Sequence, residues 1–149
     1  MGEFKQGVTV RWADLDPNGH VRHSVYYDYG ALARVAFLES NGVGPKWLAA
    51  AGIGPVLFRE EARFMRELHM GDQLTIDFQV AGLTETGKRW RIRHNLVRNE
   101  EELTAVLEMD GAWLDLKKRK VVEPPQELAV VFSSLPKTDD FEVLQSGKN

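Results

Sequence analysis

Residues 24–42 read SVYYDYGALARVAFLESNG and predict one long helix that is apolar over much of its circumference. Apolar residues recur at helical spacing, and small or apolar residues fill most of the positions between them. Ser24 is the expected N-cap, and Asn41-Gly42 supplies a C-terminal stop. Because so little of this helix is polar, we expect it to lie enclosed at the centre of the fold.

Alternating apolar and polar residues predict strands on both sides of this helix. The first strand covers about residues 4–13, and about four antiparallel strands joined by short turns follow a short helix over Pro45 to Ala51. One long helix against such strands is an α+β arrangement, and a sheet curled around the helix would explain its apolar surface. The expected core covers about residues 4–120.

The C-terminal segment, about residues 121–149, is expected to be an extension of this core. After Pro124-Pro125 it contains a weak helical segment, QELAVVFSSL, and then a polar tail, KTDDFEVLQSGKN, that is expected to be mobile at its end. A chain of 149 residues matches the length of a single domain, so we expect one domain over residues 1–149.

Composition excludes several classes of function. A formal net charge of −3 argues against a nucleic-acid partner. The absence of cysteine excludes disulfides, thiolate metal sites and a cysteine nucleophile. A basic leader followed by an apolar run is missing, as is any apolar run of about 18 residues, so the sequence predicts a cytoplasmic protein that does not span a membrane.

The loop before the long helix, residues 14–23, reads DLDPNGHVRH and concentrates acid/base chemistry. It contains the carboxylates Asp14 and Asp16, the imidazoles His20 and His23, and the amide Asn18. By itself the Asp-Pro-Asn-Gly segment is also ordinary turn composition. The His-x-x-His spacing is compatible with a metal, with Asp14 or Asp16 as a third ligand. Since no other ligand cluster accompanies it, we expect no metal here.

The segment Asp16-Pro17-Asn18-Gly19-His20-Val21, placed between a strand and a helix that contains Arg34, resembles the hotdog-fold thioesterases of the 4-hydroxybenzoyl-CoA and YbgC-like type. It also resembles the Asp-x-Asn-x-His signature of plant-type acyl-ACP thioesterases. The resemblance implies a hotdog fold, in which an antiparallel sheet wraps around one long central helix. It further implies hydrolysis of acyl-CoA, with acyl-ACP as a second possible carrier, and no metal or organic cofactor. Family members work as homodimers or dimers of dimers with the site between subunits, so the same assembly is expected here.

The resemblance also assigns roles to individual residues of the loop. Asp16 matches the carboxylate that acts as general base or nucleophile, and Asn18 and His20 match the rest of the acyl-ACP signature. His23 matches the histidine of YbgC-like members. These residues suit thioester hydrolysis, which needs an activated oxygen and donors for the developing oxyanion. Unpaired amides at the helix start, around residues 23–25, are the expected donors.

This chain departs from the family pattern at two places. Arg22-His23 replaces the usual Asn-Asn pair, and a helical acid that is common in YbgC-like proteins falls at Ala31. If that acid is needed, Asp28 or Glu67 would substitute for it, and Glu67 is the preferred candidate. A module that binds an acyl thioester without cleaving it therefore stays an alternative, as does a hydratase or dehydratase on the same scaffold.

The remaining candidates concern substrate contacts and charge. Residues at the start of the helix are expected to bind the substrate: Ser24, Val25, Tyr26 and Tyr27. A stripe of arginines at positions 89, 91 and 93 and the basic run 117–120 could bind phosphate, although a solvated outer face is the favoured interpretation. His69, at a turn, and His94, on the apolar face of a strand, are expected to be structural.

Overall fold

A computed structural model describes residues 3–145 of the chain. The strands are β1 (Lys5–Thr9), β2 (Ile53–Phe64), β3 (Gln73–Asp77), β4 (Gln79–Leu83), β5 (Arg89–Arg98), β6 (Glu102–Asp115), β7 (Lys120–Val121) and β8 (Lys137–Val143). The helices are α1 (His23–Ser40), α2 (Pro45–Ala51) and α3 (Gln126–Ser133), and a single 3-10 turn covers Trp12–Asp14. None of the helices within the described range is long and apolar enough to cross a lipid bilayer.

The strands form one sheet that is antiparallel except at one edge. β5 lies at its centre, with β6 on one side and β3 and β4, arranged end to end, on the other. β1 continues the sheet beyond β3, and β8 runs parallel to β4. On the opposite side β2 pairs along β6 and, among residues 3–145, has no strand on its other side. The expected antiparallel α+β arrangement is confirmed, apart from the parallel pairing of β8.

Helix α1 packs against the inner face of this sheet. Its buried residues are Val25, Tyr26, Tyr29, Gly30, Ala33, Phe37 and Leu38. They join one apolar core with the inward-facing residues of β5 and β6. The helix is largely enclosed, as expected, but Leu32 and Val35 are 46% and 47% exposed and leave one apolar face uncovered. The sheet covers only one side of the helix, and these two residues lie on the other.

The start of α1 also differs from the expectation by one residue. The helix begins at His23, preceded by Arg22, and Arg22 makes no side-chain capping bond. Ser24 is therefore in the first turn and exposed, not the N-cap. The end of α1 is as expected, with Asn41 as C-cap and Gly42 at a φ of 76°.

The alternation of apolar and polar residues over positions 73–80 predicts a single strand, but the structure has two, β3 and β4, with a break at Phe78. Two side chains replace the backbone ladder at this break. The Asp77 carboxylate accepts the backbone N–H of Asn95 at 2.6 Å, and the Asp77 carbonyl lies 2.6 Å from Nδ1 of His94. Because these bonds use the polar groups of Asp77, the ladder between β3 and β5 ends there and resumes at β4.

The described part of the C-terminal extension packs against the core, whereas the mobility expected at the end of the tail concerns positions outside the described residues. Leu128 and Phe132 of α3 are buried in the core, and Phe132 contacts the rings of Phe78, Trp90 and Trp113. β8 then covers the edge of β4. The amphipathic face of α3 and the open edge of the sheet account for this order; positions 146–149 of the tail lie outside the described residues. The alternation of residues predicts a final strand that ends at 117–120, but β6 ends at Asp115 and residues 116–119 form a turn.

Candidate active site

The loop between β1 and α1 closes on itself and packs against the chain that follows β2. Leu15 and Val21 form an isolated antiparallel bridge, and the N–H of Val21 donates to the carbonyl of Leu68 at 2.9 Å. The contact with Leu68 brings the turn beside the end of β2 and forms a pocket of about 310 Å³. The pocket is lined by Asp16, His20, Val21, His23, Tyr26, Phe64, Met65, Arg66 and Glu67.

Asp16 is half-buried in this pocket, and its two carboxylate oxygens have different surroundings. Oδ1 accepts the backbone N–H groups of Asn18 at 2.9 Å and of His20 at 3.2 Å. No hydrogen bond from the described residues reaches Oδ2. One oxygen therefore holds the turn in shape, as in an Asx-turn, while the other is available to a substrate or a water.

Asp14, by contrast, is a structural anchor that is 4% exposed. Its carboxylate accepts the hydroxyl of Tyr29 at 2.8 Å and the guanidinium of Arg11 at 2.9 Å. Burial alone would raise the pKa of Asp14, but the bonds from Arg11 and Tyr29 outweigh it and hold that pKa below its ordinary value. Burial and the bond to Asp14 raise the pKa of Tyr29. No sequence pattern indicated that Asp14 ties the loop to α1, because Tyr29 appears there simply as an apolar position of the helix.

His20 lies beside Glu67 on the wall of the pocket. Its Nε2 is 3.1 Å from Oε2 of Glu67, and its ring meets the ring of His69 edge to face, with centroids 5.2 Å apart. Nε2 of His69 is 4.0 Å from the same oxygen of Glu67. Asp28, the other candidate for the missing helical acid, is exposed on α1 and does not line the pocket. His69 was expected to be structural, and no sequence pattern links it to His20.

Several predicted site residues are not brought to the pocket. Asn18 and Ser24 are exposed, Val25 is buried in the core, and Tyr27 packs half-buried against the core. Of the four residues expected to contact the substrate, only Tyr26 lines the pocket. The N–H of Val25 donates to the carbonyl of Arg22 at 3.0 Å, so this amide is not the free donor that we expected.

The apolar wall of the pocket comes largely from two residues at the end of β2. Phe64 and Met65, at the end of β2, are substantially exposed, and the ring of Phe64 meets that of Tyr26 at a centroid distance of 4.9 Å. Burial raises the pKa of the Tyr26 phenol, so this side chain is neutral and contributes mainly apolar surface. Two exposed apolar residues at the end of a strand are only a weak indication of a binding pocket in a sequence, because single exposed apolar residues are common.

The outer face of the sheet carries a network of ion pairs. Arg91 and Arg93 lie within 2.7 Å of Asp110 and Glu108, respectively. Arg59 on β2 contacts the same two carboxylates at 2.7 Å. These charges are already paired within the chain, which favours the interpretation of the arginine stripe as a solvated outer face over a phosphate site.

Comparisons with known proteins agree with this architecture. The model of the Thioesterase-like superfamily matches residues 10–132. The chloroplastic acyl-acyl carrier protein thioesterase ATL3 of Arabidopsis thaliana is 29% identical over 145 residues, which cover 94% of this chain and 73% of that protein.

Two solved structures share the fold. The hypothetical protein SAV2348 from Staphylococcus aureus, solved in complex with CoA, has a TM-score of 0.81 at 18% identity and covers 92% of this chain and 88% of its own. Slr0204, a 1,4-dihydroxy-2-naphthoyl-CoA thioesterase from Synechocystis, has a TM-score of 0.79 at 20% identity. The match covers 90% of this chain and 98% of Slr0204. The shared fold is the hotdog fold that the loop sequence led us to expect.

Proposed function

The chain belongs to the thioesterase-like superfamily and hydrolyses acyl thioesters, and we propose that Asp16 is the general base that activates the attacking water. The observation that carries this proposal is the carboxylate itself. Oδ1 is held by two backbone N–H groups, whereas Oδ2 accepts no bond from the described residues and belongs to a pocket at the start of a helix. A base fixed in this way needs no reorganisation before it takes a proton.

In the proposed reaction a water molecule attacks the thioester carbonyl carbon and gives its proton to Oδ2 of Asp16. The carbonyl oxygen becomes an oxyanion, and the first amides of α1, those of His23 and Ser24, are the donors that would stabilise it. One such donor typically contributes about 3–4 kcal/mol. When the oxyanion collapses, the C–S bond breaks, and the proton on Asp16 passes to the departing thiolate.

His20 and Glu67 are proposed to position the attacking water. The contact of Glu67 with Nε2 of His20 would hold the imidazole in one orientation on the pocket wall. Glu67 would then replace the helical acid that is missing at Ala31. Asn18, with an exposed side chain, would act through its backbone N–H on Asp16. His23, the remaining imidazole of the pocket, is proposed to contact the substrate near the thioester.

Acyl-CoA is the proposed substrate, and acyl-ACP is the second candidate. The 29%-identical relative is an acyl-acyl carrier protein thioesterase, which favours the second carrier. Both carriers present the same phosphopantetheine thioester, so the pocket around Asp16 would meet the same reacting atoms. Steady-state comparison of one acyl group on both carriers distinguishes them, because the preferred carrier is the one with the higher kcat/KM.

We also propose that the protein works in the cytoplasm as a homodimer or a dimer of dimers. This assembly is supported by the edge of β2, which no strand among residues 3–145 covers and whose end lines the pocket, and by the exposed apolar residues of α1. Edges of this length in stable proteins are usually covered.

The test is an Asp16→Asn variant assayed by release of free thiol from a panel of acyl-CoA esters. Asparagine keeps an oxygen that can accept the two backbone N–H groups, so the turn should survive while the base is lost. We expect kcat/KM to fall by roughly 10² to 10⁴, with an unchanged melting temperature. The matched control is Asp28→Asn, an exposed carboxylate on α1 outside the pocket, which should keep wild-type turnover. A fully active Asp16→Asn enzyme would refute the assignment of the base.

A further inference from the structure

Three possible metal ligands from two separate segments meet at the rim of the pocket. His20 comes from the loop before α1, and Glu67 and His69 come from the segment after β2. One ligand atom from each lies within 4.8 Å of the others. The two distances that define the group are 3.1 Å from His20 Nε2 to Glu67 Oε2 and 4.0 Å from His69 Nε2 to the same oxygen.

This donor set matches the chemistry of Zn²⁺ and similar divalent transition-metal ions. Two imidazole nitrogens and one carboxylate oxygen, with a fourth position left to water, make a known type of zinc site. Zinc–ligand bonds of about 2.0–2.1 Å in a tetrahedron imply ligand-to-ligand separations of roughly 3.4 Å. The two distances around Glu67 lie on either side of this value. All three side chains are at least one-third exposed, so small rotations would suffice to adjust them.

The carboxylate of Asp72 also lies near the second ring nitrogen of His69. Asp72 Oδ2 is 4.0 Å from Nδ1 of His69, while Nε2 of that ring is the atom close to Glu67. Asp72 is itself held by Arg98 at 3.0 Å and by the backbone N–H of His69 at 2.9 Å. Histidines that bind metal commonly have a carboxylate on the nitrogen that does not bind, because it fixes the tautomer and the ring orientation.

We infer that His20, Glu67 and His69 form a binding site for a divalent transition-metal ion of the Zn²⁺ class, and that its occupancy inhibits thioester hydrolysis. The inhibition rests on the proposed function, whereas the binding does not. A bound ion would withdraw His20 and Glu67 from the substrate.

Binding is tested by calorimetric titration of chelator-treated protein with Zn²⁺. Wild type should bind one ion per chain. His69→Phe should bind at least about tenfold more weakly, because it loses a ligand atom while it keeps a ring against His20 and the backbone bond to Asp72. His23→Phe is the matched control and should bind like wild type. If His23→Phe loses the ion and His69→Phe keeps it, the His-x-x-His pair is the site and our assignment is wrong.

Inhibition is tested by thiol release with and without Zn²⁺ at a saturating concentration. Wild-type turnover should fall at least about tenfold and recover with chelator. Metal-free His69→Phe should hydrolyse at the wild-type rate and resist Zn²⁺. Equal inhibition of both proteins, or a rise in wild-type turnover with Zn²⁺, would overturn the inhibitory role. If Asp16→Asn proves fully active, the function proposed for Asp16 fails, while the calorimetric result still decides the metal site.

Discussion

Asp14 and Asp16 are two positions apart in the sequence, yet their carboxylates have different surroundings. Asp14 is buried and fully engaged by Arg11 and Tyr29, so it serves as an anchor with a lowered pKa. Asp16 is half-buried, and the described residues engage only one of its oxygens. The difference arises because Tyr29 lies about one and a half turns into α1. From there its hydroxyl reaches the carboxylate of Asp14 but not that of Asp16.

His94 shows how burial decides a protonation state. It is 0% exposed, and since the Asp77 carbonyl can only accept, Nδ1 carries the proton and donates to it. Nε2 is then the acceptor that faces Nη1 of Arg34 at 3.4 Å. Burial, together with the positive charge of Arg34, lowers the pKa of His94 from its ordinary value of about 6.5 to about 3, although the bond to Asp77 opposes the shift.

This buried imidazole predicts a loss of stability in acid. The unfolded chain binds a proton on His94 below pH of about 6.5, and the folded chain binds it only near pH 3, so stability falls as the pH drops through this interval. At pH 5 the loss from this group should be about 2 kcal/mol relative to neutral pH.

Urea denaturation at both pH values, compared between wild type and His94→Asn, measures this loss. Asparagine retains a donor for Asp77 but does not titrate, so the variant should lose less stability on acidification than wild type. Equal losses in the two proteins would contradict the prediction.

At the scale of elements, the contact between β2 and β6 depends on a glycine. A Cβ at Gly111 of β6 would collide with the carbonyl oxygen of Val56 on β2 and with the ring of Trp90 on β5. The pairing of β2 with β6 shifts register next to this point, between Leu57 and Arg59. The close approach of three strands therefore leaves no room for a side chain.

We predict that Gly111→Ala destabilises the protein by about 2 kcal/mol or more, because a backbone atom and a buried ring must both move. Gly7→Ala is the matched control, since no heavy atom of residues 3–145 lies within 4 Å of the position of a Cβ added at Gly7 of β1. It should be neutral or slightly stabilising. Thermal or urea unfolding of both variants checks the pair, and equal effects would show that the crowding at Gly111 is relieved at little cost.

At the scale of the whole molecule, β2 is a 12-residue strand with an open edge in the described part of the chain. Leu57 on this strand and Val35 on α1 are both exposed and line the same cavity, and Leu32 of α1 is exposed as well. Together these residues leave apolar surface and unpaired backbone groups on the same side of the molecule, which is typical of a surface that pairs with a second copy.

We predict that the protein is a homodimer or larger by light scattering, and that Leu57→Glu shifts it toward monomer and lowers turnover, because a buried charge at the interface has no partner. Met70→Glu is the control: Met70 is equally apolar and 60% exposed, but it lies at the turn before β3. It should keep both the assembly and the activity. A monomeric wild type with full activity would contradict the proposed assembly.

The sequence by itself determined the central helix, the period-two strands and the loop motif. These are local patterns, because helical and strand spacing and turn residues are set by neighbours in the chain. α2 is correct at both ends, at Pro45 and Ala51, because a proline in the first turn and a left-handed glycine after the last fix its limits. The hotdog fold was expected only because the loop motif resembles that of a known family.

Only the tertiary structure decided which side chains meet. The pairing of His20 with Glu67 and His69, the anchor between Asp14 and Tyr29, and the docking of β8 on β4 all join residues far apart in sequence. Local spacing carries no information about such contacts, since they depend on how the sheet curls and which face of α1 it covers. For the same reason Asn18, Ser24 and Tyr27 looked like site residues in the sequence but do not line the pocket.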